Sequence, residues 1–134
     1  MNMTTISPTE IEAVRAALTS PDLIIGHGVG DADTPGQGTA CTIAEINLAL
    51  TGRLTDDLHP CMSPVIRSWV IRIQDAMPSE MRNSKAWREA AIGIAGSAAS
   101  HEVEQKRAAL ILEWMWGALG DQAVLAAVPA AART

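Results

Sequence analysis

The chain has no phenylalanine and no tyrosine among its 134 residues. Its aromatic mass therefore falls on four tryptophans, Trp69, Trp87, Trp114 and Trp116. Much of the apolar content is alanine, which favours close helix packing over a bulky core. Charged residues are few, the net charge is −5, and the ten Lys and Arg form no stripe. That argues against a reader of phosphate backbones, so nucleic acid is an unlikely partner on charge grounds. No run reaches the ~18 apolar residues of a membrane helix, which excludes a helical span. The N-terminus MNMTTISPTE lacks the basic-then-apolar order of a signal peptide, and a cytoplasmic location is expected. Only two cysteines occur, Cys41 and Cys61; in a reducing compartment the default is two free thiols. Alternating strand patterns and internal repeats are also missing.

What is present is a series of helix signals. Ser7-Pro8-Thr9-Glu10 has the form of a capping box with Pro in the first turn, and Ile11, Val14, Ala17 and Leu18 follow on one face. That helix should end near Ser20-Pro21. Leu23 to Ile25 is short, apolar and open to an extended reading. Thr39 or Thr42 opens the next helix, Thr42 to Glu45 again has the capping-box form, and Gly52 stops it. Ser63-Pro64 starts a helix with Val65, Ile66, Trp69, Val70 and Ile73 at helical spacing; this is the expected main core element. Pro78 ends it and Ser79 caps a short turn. Ser84 opens a helix carrying Trp87, Ala91, Ile94 and Ala95. Gly93 and Gly96 imply close packing there or an early end. Ser100 caps the last long helix, through Trp114 to Gly120. Asp121 opens a short one to Ala127, and residues 128–134 read as a frayed tail. The expected fold is a single all-α domain, residues 1–134. It is a compact orthogonal bundle of about six or seven helices with one long Gly-rich loop.

That loop, GHGVGDADTPGQG, holds five of the ten glycines and runs into a helix start. A helix N-terminus offers unpaired N–H groups and partial positive charge, and glycine lets an anion approach the backbone. Gly36, Gly38, Thr39 and Thr42 are thus candidate phosphate ligands. The stretch has neither a P-loop lysine nor GxGxxG spacing. Asp31 and Asp33 would repel an anion unless they face a base, a ribose or a metal. The plain alternative is a Gly-rich connector.

His27, Cys41, His59 and Cys61 invite a zinc reading, but no CxxC or HxxxH pair occurs, and no metal or other cofactor is assigned. Cys41 at a helix start could be the nucleophile of a Cys-His pair, with its thiol pKa lowered by the dipole. No spacing supplies a third, orienting group, and no catalytic residue is assigned. Asp75 is expected to accept from the next backbone cap or to pair with Arg82. Trp114 and Trp116 cannot both face one core, so one should lie at an interface or pocket wall, which fits a homodimer.

The middle of the chain resembles a family of small helical proteins found in bacterial chromosomes and phages. The resemblance rests on Cys41 and Glu45, Gly52, Asp57, Pro60 and Cys61. It continues through Pro64-Val65-Ile66, Gln74-Asp75-Ala76-Met77-Pro78, Arg82, and Lys106 to Trp114, and so covers residues 36 to 116. Gln74 departs from the family's Asn. The family transfers no activity. It implies a helical fold and directs attention to Glu45, Asp57, His59, Ser63, Asp75 and Arg82. Of these, Glu45, His59, Ser63 and Arg82 join the loop residues as candidate ligand groups.

Three functions follow. The first is non-enzymatic binding of a phosphorylated small molecule, such as sequestration of a nucleotide signal in the manner of a phage protein. The second is a protein-interaction module, an inhibitor or assembly component. The third, ranked last, is an enzyme using Cys41, His59 or Asp57.

Overall fold

A computed structural model describes residues 5–29 and 39–119. The chain is all-α, with six helices among the described residues. These are α1 (Pro8–Leu18), α2 (Thr42–Thr51), α3 (Pro64–Ala76), α4 (Ser79–Arg82), α5 (Lys85–Ile92) and α6 (His101–Leu119). The expected helix at Asp121–Ala127 and the tail lie outside the described residues, as do Gly36 and Gly38. Two compact units are present, Met1–Ser100 and His101–Thr134. No described helix is long and apolar enough to cross a membrane.

Local chemistry sets the helix boundaries. Ser7 and Glu10 form the capping box, each side chain accepting from the other's backbone N–H. Ser63 Oγ accepts from Ile66 N, and Ser84 Oγ from Trp87 N, each at 3.1 Å. α2 departs from expectation: its cap is Cys41, whose Sγ accepts from Ala44 N at 3.4 Å. Thr42 is the first helical residue, so Thr42 and Glu45 make no capping box. The Thr42 hydroxyl is instead drawn inward by Gln74 and Trp87. Gly52 ends α2 at φ 76°, a left-handed conformation that favours glycine. α5 stops at Gly93, the early end of the two readings.

In the first unit α1 packs on α2 and α5, α2 on α3, and α4 on α5. The core is small and aliphatic, built on Val14, Leu18, Ile43, Ile46, Met62 and both cysteines. Its centre is α2, where Thr42, Ile43, Ala44, Ile46 and Asn47 are all buried. α3 is not the main core element: only Val70 and Gln74 are buried along it. Ile66, Trp69 and Ile71 are half-buried against the core. After α5 the chain is hooked back by Ala98 N to Cys61 O and Ser63 N to Ser97 Oγ, both 2.9 Å.

In the second unit, α6 carries two ion pairs in its first half, Lys106 with Glu102 and Arg107 with Glu104. From Ala108 to Gly117 its sole charged residue is Glu113, and Leu110, Leu112 and Trp116 are exposed.

Candidate functional site

The glycine-rich stretch is pinned at both ends. Gly26 N donates to Ala40 O at 2.8 Å and Cys41 N to Gly28 O at 2.7 Å. Ile25 and Ala40 form an isolated parallel bridge, so the open reading of Leu23 to Ile25 resolves as extended at Ile25. Thr39 is exposed, and its side chain lies over Gly26; a Cβ at Gly26 would come within 2.1 Å of Thr39 Oγ1. Glycine is required there by close approach.

Below this closure sits a polar hub. Gln74, fully buried, accepts at Oε1 from Thr42 N (3.2 Å) and Thr42 Oγ1 (3.1 Å). Its Nε2 donates to Gly26 O at 3.3 Å and to the Asp75 carboxylate. Trp87 Nε1 donates to Thr42 Oγ1 at 3.0 Å. Arg82, 6% exposed, donates to Ile25 O, Gln74 O and Met77 O at 2.9–3.1 Å. It also meets His27 Nε2 at 2.9 Å. Guanidinium only donates, so His27 accepts there and carries its proton on Nδ1. Arg82 does not pair with Asp75 as expected. It sits instead on carbonyls at the C-terminal end of α3, where the helix dipole favours a cation. Asn83 brackets Ile25, accepting from its N at 2.7 Å and donating to its O at 3.0 Å. Arg88 extends the clamp to Leu18 O, Ser20 O and Leu23 O. Two arginines, Gln74 and Asn83 thus hold the irregular chain from Leu18 to Gly28 on the helices.

The candidate ligand residues divide accordingly. Thr42 and Arg82 meet in the hub, both buried, with their polar atoms bonded inside the protein. Ser63 is buried as the cap of α3. Glu45 is half-buried on α2, and burial pushes its carboxyl above the usual range. His59 lies elsewhere, its Nδ1 accepting from Cys61 N at 3.0 Å. It joins Asp57, Thr51, Arg53 and Thr55 around a groove of about 190 Å³. Buried Asn47 also lines this groove; its Nδ2 donates to Thr55 O and Asp57 O, while its Oδ1 has no partner among the described residues.

Cys41 does not have the lowered thiol pKa that a helix start suggests. Burial raises it, outweighing the backbone N–H at Ala44, and burial raises Cys61 likewise. Both thiols are free. Among the described residues no group of three His, Cys, Asp or Glu is placed to hold a metal.

One surface feature contains none of the candidate ligand residues read from the sequence. Along α5 lies an apolar trough made of two neighbouring depressions, one facing α4 and one facing α3. The part toward α4 has an open volume of about 410 Å³ and is lined by Met77, Glu80, Met81, Ser84, Ala86, Trp87 and Ala90. The other, about 170 Å³, is lined by Ile66, Trp69, Val70, Trp87, Ala90, Ala91 and Ile94. Trp87 and Ala90 belong to both. A separate depression lined by Thr19, Ser20, Pro21, Asn83, Lys85, Arg88 and Glu89 is polar, and Arg88 there is held by backbone carbonyls.

Sequence reasoning passed over Gln74, Asn83, Trp87 and Arg88 as site-building residues. Gln74 had a signal: it falls four residues after Val70, a polar side chain on the buried stripe of α3. No family model, no curated protein and no solved structure matches the chain.

Proposed function

We propose that this chain is a protein-interaction module that docks a helical segment of a partner in the trough along α5. The observation that carries this reading is the apolar lining of two depressions that share Trp87 and Ala90, with Trp69, Met77 and Met81 among their other walls. Tryptophan and methionine are enriched at interface centres, and methionine adapts its shape to an incoming side chain. A helix-in-groove contact uses this kind of surface. An inhibitor or assembly component would need nothing more. The test is affinity capture with the wild-type chain and with Ala90→Glu, which places a charge at the junction of the two parts. A partner held by the wild type and lost by the variant supports the reading; equal recovery by both refutes it.

A second reading keeps the phosphorylated small molecule or nucleotide. It draws on the pinned loop ends and on exposed Thr39 above Gly26. The hub favours it less, because Arg82 and Thr42 already bind the protein's own groups. A rise in melting temperature with one member of a nucleotide panel, lost in Thr39→Ala, would restore it ahead of the first. Exposed Leu110, Leu112 and Trp116 on α6 support a homo-oligomer. Native mass spectrometry reads that state directly.

A further inference from the structure

We infer that the groove at the C-terminal end of α2 binds a free α-amino acid with a small aliphatic side chain. The ligand's ammonium meets Asn47 and Asp57, and its carboxylate meets Arg53 and His59. The groove shares no lining residue with the trough, and the inference does not depend on docking there. The observation that opens it is Asn47, 2% exposed on α2. Its Nδ2 directs both protons at carbonyls, Thr55 O at 2.7 Å and Asp57 O at 2.9 Å. Carbonyls only accept, so the orientation of the amide is fixed and Oδ1 is a true acceptor. Among the described residues nothing donates to it. A buried acceptor without a donor is costly, and this one calls for a donor from outside the chain.

Charge around the groove defines what carries that donor. Arg53 and Asp57 both line it, both are exposed, and neither is in an ion pair among the described residues. Thr51 lines it as the last residue of α2, the end where the helix dipole favours a cation. His59 Nδ1 accepts from Cys61 N, so the neutral ring carries its proton on Nε2, where it can donate to a carboxylate. A buried acceptor, an unpaired acid and an unpaired guanidinium match a ligand that bears both an ammonium and a carboxylate. Size narrows it further. A volume of about 190 Å³ is the share of roughly six waters, too little for a nucleotide and enough for a small amino acid. Leu58 and Pro60 supply apolar wall for a short side chain. Asn47 Oδ1 is closed to solvent, so the ammonium reaches it with a small outward shift of exposed Asp57 and Leu58.

The experiment is calorimetric titration of the full chain with L-valine, isobutylamine and isovalerate. The three share a branched skeleton and carry both charged groups, the amine alone and the acid alone. L-Valine should bind, and each single-charge analogue should bind at least about tenfold more weakly. Asp57→Asn and Arg53→Gln change exposed positions and should leave urea unfolding as in the wild type. Each should weaken L-valine by about threefold to tenfold. The side-chain amide resonances of Asn47 should move when L-valine is added. No binding of L-valine, glycine, L-alanine or L-proline would overturn the site. Binding of L-valine at wild-type strength by both variants would place the ligand elsewhere and overturn it too. Isovalerate matching L-valine would replace the amino acid by a plain anion, and isobutylamine matching it would replace the amino acid by a plain cation. Binding that leaves the Asn47 resonances unmoved would remove Asn47 as a ligand group and overturn the inference at its starting point.

Discussion

Trp87 has two sides that meet opposite chemistry. Its indole N–H donates into the hub at Thr42, and its ring lines both parts of the trough. In the hub, residues of the type that bind anions are used to hold an irregular segment in place. Arg82 and Arg88 meet backbone carbonyls, and the amide of Gln74 joins the two ends of the glycine-rich stretch. In the trough, core residues Val70, Ala91 and Ile94 form part of the lining beside half-buried Trp69 and Trp87 and exposed Met81. The difference teaches that residue type alone does not assign a role. A segment such as Leu18 to Gly28 leaves its carbonyls without helix partners, and buried carbonyls require donors. The arginines are taken by that demand. α3 and α5 have no comparable demand between them, so their apolar flanks stay open.

The largest effect should come from the hub. Arg82→Ala removes the donor to Ile25 O, Gln74 O and Met77 O together and should cost about 3 kcal/mol or more in urea unfolding. Arg82→Lys should recover only part of this, since a single ammonium cannot span a fork of acceptors. A loss below about 1 kcal/mol would mean that water replaces the guanidinium without penalty. Gln74→Ala should follow at about 2–3 kcal/mol, because it strands Thr42 N and Gly26 O in the interior. Gln74→Asn sharpens the point. The shorter amide should fail to reach both ends of the stretch and fall between wild type and alanine.

The trough should behave in the opposite way. Ala90 is exposed, and Ala90→Glu should shift unfolding stability by no more than about 0.5 kcal/mol while removing partner capture. A large destabilisation there would show that the trough is a strained part of the core, and the contrast with the hub would collapse.

The sequence carried the helices well and the site poorly, for physical reasons that particular residues show. Ser7 with Glu10, Ser63 with Pro64, and Gly52 are local devices, complete within one turn, and all three act where the pattern placed them. A thiol is a weak acceptor, so Cys41 carries no cap signal in the sequence. It caps because the stronger candidate, Thr42, is pulled into a bond with Gln74, 32 residues away. Arg82 bonds to Ile25 across 57 residues and Arg88 to Leu18 across 70. Contacts of that range leave no periodic trace. Gln74 alone left one, as a polar residue on an apolar stripe. The trough was illegible for a related reason: spacing marks which residues of α3 are apolar but not whether a neighbouring helix closes over them.

The smallest predicted effect concerns Glu45, and its sign separates burial from pairing. Burial alone is the cause of its raised carboxyl pKa. The folded protein therefore holds a proton on Glu45 more tightly than the unfolded chain does. By linkage, this contribution to stability is fully present below the unfolded value of about 4.3 and is lost as pH rises through the higher folded value. Glu45→Gln removes the titration and keeps the shape. Its melting temperature should match wild type near pH 4 and exceed it increasingly up to neutrality, where the ionised carboxylate is a cost. Glu10 titrates in the opposite direction, lowered by its bonds to Ser7, but it is present in both proteins and cancels in the difference. A difference curve that falls with pH, with the variant becoming the less stable protein, would mean that Glu45 faces a cation in solution. Glu45 would then be part of a charged site at the start of α2, and the reading based on the glycine-rich stretch would gain over the trough.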